Sequence, residues 1–429
     1  MVKDCSNMNK QILKQLEKYN NVQGLMQYIN VDTLYQKHRN LNGKKATGID
    51  KVTKEKYNEE IISNLTNLID RMKKHKYMPQ PARRVEIPKP NGKTRPLGIP
   101  SYEDKIVQAQ MAEILNIIFE RYFKDFSYGF RPNKDCHKAI KNLDESIMHG
   151  KVKWIVEADI KGFFDNVNHD ILLRMLKVVI KDRDFLELIR KFLKSGYMKN
   201  DVLYDTNKGT PQGGIISPIL AYVYLHIVLD KWFDEKFRKL CKGEIYIIRY
   251  ADDFVTMFQY ESDARMFYNM IRGRLMQFGL ELEETKTKIF PFGRYANENK
   301  KYKSQEFDFL GFTISNGLTR EGYYKVNYRT SKKKSSIKYK EMLDFIKKSR
   351  TTKPKSLIKS VNKRFVGLYN YYGISGNINW LIKFANFVRS QIKKWLSRRS
   401  QRGKLSWDKF KRIVKYNPIV KPKISLKLW

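Results

Sequence analysis

Two patterns alternate along the chain: short apolar runs closed by turn residues, and longer stretches with apolar positions three or four apart. Trp154 to Asp159 is an apolar run that ends on an acid and passes into a Gly-containing turn, which predicts a largely buried strand. Ile245–Arg249 and Phe254–Phe258 are β-branched and aromatic runs on either side of Tyr250-Ala251-Asp252-Asp253, which predicts strand, turn and strand. Val85–Pro88, the turn Pro90-Asn91-Gly92 and the return Arg95–Ile99 predict a hairpin over 85–99, with Lys89 and Arg95 near its tip. Residues 21–80 read as polar helices around the loop Gly43–Asp50. Residues 101–150 read as long helices with apolar positions at Ile106, Ala109, Ile114 and Ile117, interrupted by a loop at Tyr128–Pro132. Gly209–Gly214 is a Gly-rich loop leading to Ser217-Pro218, expected as N-cap and first residue of a buried helix over roughly 217–238, apolar almost all round at first.

After residue 320 three helices are expected. Leu357, Val361, Phe365, Leu368 and Tyr372 recur at helical spacing, with Gly373 as the stop. Asn377 is expected to cap a helix carrying Ile378, Leu381, Ile382, Ala385, Val388, Ile392 and Trp395, with Tyr371 and Trp395 in the core.

Composition narrows the class. A chain of 429 residues with 41% hydrophobic and 13% aromatic residues is globular, with core enough for two or three domains. No apolar run approaches the roughly 18–20 residues that span a bilayer, and Met1–Asn20 has no apolar signal region. Cys5, Cys136 and Cys241 are far apart and odd in number, which predicts neither a disulfide framework nor a zinc site and fits a reducing cytosol. The net charge of +41 is uneven: residues 320–429 hold 31 Lys/Arg and only four acids, a net of +27. Ordinary solvated faces mix both signs, so this imbalance predicts a polyanion-binding face, read here as RNA-binding.

The chemistry concentrates in the acids. Asp252 and Asp253 sit side by side at a predicted hairpin tip, where like charges repel unless they share a cation. Mg²⁺ suits hard carboxylate oxygens and leaves positions for phosphate. Alone, the pair is equally a solvated Asp-rich turn, and Asp159 alone is equally a cap or salt-bridge partner. Together they are expected to converge on one sheet edge and hold two Mg²⁺ for in-line phosphoryl transfer.

Ala158-Asp159 through Phe164, then Gly209-Thr210-Pro211-Gln212-Gly213-Gly214, then Tyr250-Ala251-Asp252-Asp253, stand in the order of reverse transcriptases. Arg84–Pro90, Ser127–Pro132, Gly279–Lys288 and Phe309-Leu310-Gly311-Phe312 add further blocks. Over roughly residues 40–424 the chain resembles the bacterial group II intron reverse transcriptase/maturases. That resemblance implies an α+β right-hand polymerase: a helical extension at 1–82, interleaved fingers and palm with an antiparallel sheet at 83–320, and an all-α basic thumb/maturase domain at 321–429. It implies catalysis by Asp159, Asp252 and Asp253, with two Mg²⁺ held by these and Ile160. Lys89, Arg95, Ile160, Phe164, Gln212 and Lys286 are implied at the nucleotide, Phe164 as a planar gate against the ribose 2′-hydroxyl and Lys286 as orienting Asp252. By spacing alone Phe164 is as well a core residue and Lys286 a solvated one. Arg131, Gly213, Gly311, Lys363, Arg364, Arg398 and Arg399 are implied on nucleic acid, although Arg131 equally ties one subdomain to another. The implied partners are an RNA template and primer, dNTPs, group II intron RNA and a DNA target, with no membrane, in a bacterial cytoplasm. No His-Asn-His or four-Cys pattern follows Ser400, so the endonuclease domain of some family members is expected to be missing. A domesticated relative in phage defence and a splicing chaperone with a vestigial polymerase site remain the alternative readings.

Overall fold

The computed structural model describes residues 2–88, 92, 94–211, 213–297, 305–399 and 405–428; Lys89, Gln212 and Ser400 lie outside them. In chain order the N-terminal elements are α1 (Val2–Tyr19), α2 (Val31–Asn40), α3 (Lys54–Asn58) and α4 (Ile61–Lys73), then β1 (Ala82–Pro88) and β2 (Thr94–Ile99). α5 (Tyr102–Phe119), α6 (Cys136–His149), β3 (Trp154–Ala158), α7 (Phe163–Asn166), α8 (His169–Val179) and α9 (Arg183–Lys194) follow. Next come β4 (Tyr197–Lys199), β5 (Val202–Tyr204), α10 (Ser217–Leu225), α11 (Lys231–Glu235), β6 (Ile245–Tyr250), β7 (Asp253–Phe258) and α12 (Glu261–Met276). The last are β8 (Lys288–Pro291), α13 (Arg294–Asn297), β9 (Glu306–Phe309), β10 (Phe312–Leu318), β11 (Tyr324–Thr330), α14 (Lys332–Lys348), α15 (Pro354–Tyr372), α16 (Ile378–Ser397) and α17 (Trp407–Tyr416). These elements fall into two compact units that interleave in sequence: Met1–Asn133 with Ala158–Cys241 and Met266–Thr287, and Lys134–Glu157 with Lys242–Arg265 and Lys288–Trp429.

In the first unit, β1 and β2 form the expected hairpin, with Val85 opposite Leu97 and Ile87 opposite Arg95, in a sheet of order β2-β1-β4-β5. Short polar side chains start the helices by accepting orphan amide protons. Asn30 and Thr33 make a reciprocal capping box on α2, and Asn168 accepts from Ile171 N at 3.0 Å at the start of α8. Asp182 does double duty. One oxygen caps α9 through Phe185 N at 2.9 Å, and the other accepts from Leu25 N at 2.5 Å and Met26 N at 3.3 Å, tying the N-terminal helices to α9.

The buried helix after the Gly-rich loop differs from expectation. Ile216, not Ser217, is its N-cap residue; Ser217 is the first helical residue and its hydroxyl donates to Pro211 O at 2.8 Å. The helix does not run unbroken to 238: α10 passes through a wide π-helical turn at His226–Asp230 before α11. His226, Val228, Leu229 and Asp230 of that turn are buried.

In the second unit, β6 and β7 pair antiparallel within a sheet of order β6-β7-β3-β8, and β3 pairs antiparallel with β8. Its core is the apolar run read from sequence: Ile155, Val156, Ile247, Ile248, Val255, Met257 and Phe258 are all buried. β9, β10 and β11 form a separate antiparallel sheet. The segment after 320 is therefore not all-helical: Tyr324–Thr330 is a strand, because Tyr324, Val326 and Tyr328 alternate toward one face. Four helices follow among the described residues rather than three. Leu357, Val361, Phe365, Leu368 and Tyr372 of α15 and Leu381, Val388 and Ile392 of α16 are buried as their spacing predicts, whereas Ile378 and Ala385 are half-buried and Ile382 is exposed; Tyr369 and Phe384 join the core, with Phe365 edge-on to Phe384 at 6.1 Å. Gly373 ends α15. Asn377 precedes α16 but does not cap it with its side chain. It is buried, and accepts from Thr330 N at 3.0 Å while donating to Thr330 Oγ1 and Tyr372 O, joining a strand end to a helix end. Tyr371, expected in the core, is 38% exposed, and Trp395 is half-buried.

Asp144 of α6 is 4% exposed and accepts from Tyr328 Oη at 3.0 Å. Burial pushes its carboxyl up to about 6, more than the Tyr328 bond offsets. A carboxyl raised on folding contributes stability below its unfolded value, and that contribution is lost as pH rises through 6. Asp144→Asn should therefore raise stability by about 2 kcal/mol at pH 7.5. Melting curves should show that gain closing by pH 4; a gain independent of pH would contradict the assignment.

Candidate active site

The β6–β7 hairpin closes through Tyr250 opposite Asp253, leaving Ala251 and Asp252 as its two turn residues. Ala251 has φ +58°, in the left-handed region where glycine is usual, at a cost on the order of 1 kcal/mol. Arg249 offsets this. Its side chain is fully buried beneath the tip, and Nη1 donates to Ala251 O at 2.8 Å. A buried guanidinium beside the turn also places positive charge near the hairpin tip. Asp253 is exposed and Asp252 half-buried.

β3 lies beside β7, with Lys153 N donating to Phe258 O at 2.9 Å and Thr256 Oγ1 donating to Val156 O at 3.3 Å. As β3 advances β7 therefore recedes, and the end of β3 lies beside the start of β7. Asp159 follows β3 directly. Its carbonyl accepts from Glu283 N at 2.8 Å, Ile160 bridges Leu282, and Lys161 N donates to Glu281 O at 2.9 Å, so residues 159–161 are held along 281–283. The Asp159 carboxylate, 29% exposed, accepts from Lys286 Nζ at 2.5 Å. Lys286, expected to orient Asp252, makes an ion pair with Asp159. The Ile160 side chain is buried, which leaves its backbone for any ligand contact. Among the described residues no three His, Cys, Asp or Glu side chains form a group that could hold a metal ion. Adjacent carboxylates at a partly exposed tip are the hard oxygen donors that Mg²⁺ takes.

Phe163 is core, while Phe164 is half-buried with its ring edge-on to Phe163 at 5.2 Å. The Gly-rich loop is stitched to this turn. Thr210 N donates to Phe164 O and Gly209 N to Val167 O, both at 2.7 Å, and Lys208 Nζ reaches Asn166 Oδ1 at 3.0 Å. Gly209 has φ +89°, and a Cβ there would lie 2.9 Å from Asp165 O. At the other end of the loop, buried Gln108 of α5 accepts from Ile215 N at 2.8 Å. Gly213, expected on nucleic acid, has φ +114°, and a Cβ would lie 2.4 Å from Gly98 O; glycine there lets the loop pack on β2. Arg95 is exposed on β2.

Arg131 is a correction. Its guanidinium is buried and donates to the Glu120 carboxylate and to the carbonyls of Lys124 (2.6 Å) and Ser127 (2.7 Å), so its donors are used inside the fold. The Leu310-Gly311 turn of the β9–β10 hairpin has φ +50° and +80°, which explains Gly311 by conformation, and Tyr371 Oη donates to Leu310 O at 2.9 Å. Lys363 and Arg364 are exposed on α15, with Arg364 3.9 Å from the Phe345 ring centre. Lys347, Arg350 and Arg398 stand 5.6–5.8 Å from Trp395, and Arg399 is held by Thr352 O. Arg249, Gln108 and His169, whose Nε2 reaches Gly209 O, escaped sequence reading, because a buried polar residue serving one backbone group leaves no periodic signal.

Comparison with known proteins gives the family. Residues 87–314 match the family described as reverse transcriptase (RNA-dependent DNA polymerase). The group II intron-encoded protein LtrA of Lactococcus lactis subsp. cremoris is 31% identical over 87% of this chain and 74% of its own. Protein YkfC of Escherichia coli K12 is 32% identical over 66% of this chain and 80% of its own. A shorter match, 32% identical over 22% of this chain and 13% of the relative, is to nuclear intron maturase 1 of Arabidopsis thaliana. With more than half its length inside that family and most of it similar to a group II intron-encoded protein, the chain belongs to the reverse transcriptase family and is an RNA-directed DNA polymerase.

Proposed function

We propose that this polymerase works by two-metal nucleotidyl transfer at Asp159, Asp252 and Asp253, and that it also binds a group II intron RNA and assists its splicing and mobility. The observation that carries the first half is the hairpin tip. Two adjacent carboxylates sit at the tip of a hairpin whose turn carbonyl is held by a buried guanidinium, at the start of the strand whose sheet neighbour runs into Asp159. These three carboxylates, with the Ile160 backbone, would hold two Mg²⁺. Bound there, the ions supply the charge that makes a primer 3′-hydroxyl nucleophilic and stabilises departing pyrophosphate. In the transfer the 3′-oxygen bonds to the α-phosphorus as the bond to pyrophosphate breaks. The chain's own residues orient the reactants. Arg95 on β2, with Lys89 and Gln212, grips the incoming dNTP, and Phe164 closes the pocket against a 2′-hydroxyl. Lys286 holds the Asp159 carboxylate in place.

The second half rests on charge and on relatives. The +27 net charge of residues 320–429 favours structured RNA, and Lys363 and Arg364 on exposed helix surface, with Arg398 and Arg399 exposed just past the end of α16, suit its phosphates. Gly213 and Gly311 allow close backbone approach to template and primer. One relative is named a group II intron-encoded protein and another an intron maturase. By role we retain a helical extension at 1–82, fingers and palm at 83–320 and a basic thumb/maturase region from 321, alongside the two compact units. No helix among the described residues is long and apolar enough to cross a membrane. The likeness to a bacterial group II intron-encoded protein supports a bacterial cytoplasm as the place of action, with RNA as template and a DNA target as partner.

Asp252→Ala should lower primer extension on an RNA template by roughly a thousandfold or more, the weight of several kcal/mol of lost charge stabilisation. RNA affinity should stay within about twofold by filter binding; retained polymerisation would remove the mechanism. Lys286→Met should lower kcat about tenfold while leaving the melting temperature nearly unchanged, since an exposed ion pair contributes little to stability; wild-type kcat would exclude Lys286 from the site. Added protein should improve group II intron splicing at low Mg²⁺. Lys363→Gln with Arg364→Gln should flatten the salt dependence of RNA affinity by roughly one to two log units per log salt. An unchanged slope together with no splicing effect would count against the maturase role.

A further inference from the structure

Gly209 is fixed on both sides of its peptide. Its N–H donates to Val167 O at 2.7 Å, and its C=O accepts from His169 Nε2 at 2.6 Å. The next residue, Thr210, donates its N–H to Phe164 O. His169 opens α8, anchored by the Asn168 cap, and Asn168 itself bridges Lys208. The ring therefore sits on a rigid helix start and holds the one glycine through which the loop meets the Phe164–Val167 turn.

A carbonyl can only accept, so the imidazole carries its proton on Nε2 and presents a bare lone pair at Nδ1. That Nδ1 is buried with no hydrogen-bond partner among the described residues, and the residue is 4% exposed. Burial also holds the ring below its usual range, which keeps it neutral and in this tautomer. An unpartnered buried acceptor is a cost that folding alone does not reward. A leucine of similar size would fill the space without it. What the histidine adds is the single bond to Gly209 O. The backbone at Phe164 is set from the same seam, and its half-buried ring stands against the edge of Phe163.

We infer that His169 is a positioning residue for sugar selection: through Gly209 and Thr210 it holds the Phe164 backbone so that the ring stands where a 2′-hydroxyl would be. The inference rests on the reading of Phe164 as the sugar gate.

The test is the ratio of kcat/KM for dNTP over the matching rNTP, measured on the full chain with an RNA template and DNA primer. Phe164→Ala is the control, beside His169→Ala, His169→Asn and His169→Gln. A glutamine amide reaches the place of Nε2, whereas an asparagine amide reaches only that of Nδ1. The ratio should fall about tenfold in the Ala and Asn variants and stay within about threefold of wild type in Gln, with primer–template affinity unchanged in all. If His169→Ala does not fold, the Asn–Gln comparison carries the result. The inference is overturned if Phe164→Ala lowers the ratio while the His169 variants do not, or if Gln falls as far as Asn. If Phe164→Ala leaves the ratio unchanged, the gate reading itself fails and the inference goes with it.

Discussion

Two carboxylates side by side at a hairpin tip repel each other, and the β6–β7 hairpin is built to tolerate them. Arg249 takes no part in any surface; it is fully buried and donates to the carbonyl of Ala251, the residue held in the left-handed conformation. One buried cation thus stabilises a strained turn and supports the charge that the turn exposes. A buried arginine is tolerable only when its donors are satisfied, so the hairpin and its guanidinium depend on each other. The apolar strands beneath fix the register that places Asp253 opposite Tyr250.

The Gly-rich loop follows a second version of the same logic. It has little side-chain volume to pack, so its position comes from backbone hydrogen bonds and from buried polar residues at either end, His169 at Gly209 and Gln108 at Ile215. The glycines make that possible because any Cβ at Gly209 or Gly213 would strike a neighbouring carbonyl. The loop's geometry is therefore set by its neighbours, and a family motif of this kind reflects packing as much as ligand contact.

The basic C-terminal region shows how charge and core separate on helices. α15 and α16 bury one stripe each, and their Lys and Arg residues stay on the outer faces. Cations of this region also lie over aromatic rings, as Arg364 does over Phe345 and Lys347, Arg350 and Arg398 do around Trp395. Such stacking fixes the long side chains at modest entropic cost and leaves their charge accessible to a polyanion.

Alternating and helical periodicity located the β1–β2 and β6–β7 hairpins, β3, and the α15 and α16 cores, because each period is a local consequence of which side faces the interior. The acidic residues and the ordered motifs were equally legible, since residue type and order along the chain carry the family resemblance. Sequence misjudged what depends on partners distant in the chain. Arg131 read equally as a nucleic-acid contact and as an internal tie, and Glu120 with two carbonyls takes up its donors. Asn377 read as a cap, yet its amide joins Thr330 to Tyr372. Residues 324–330 read as helical territory, yet β10 offered them a ladder. A side chain's hydrogen-bonding capacity is visible in sequence; which groups use it up is settled only when the tertiary fold brings them within 3 Å.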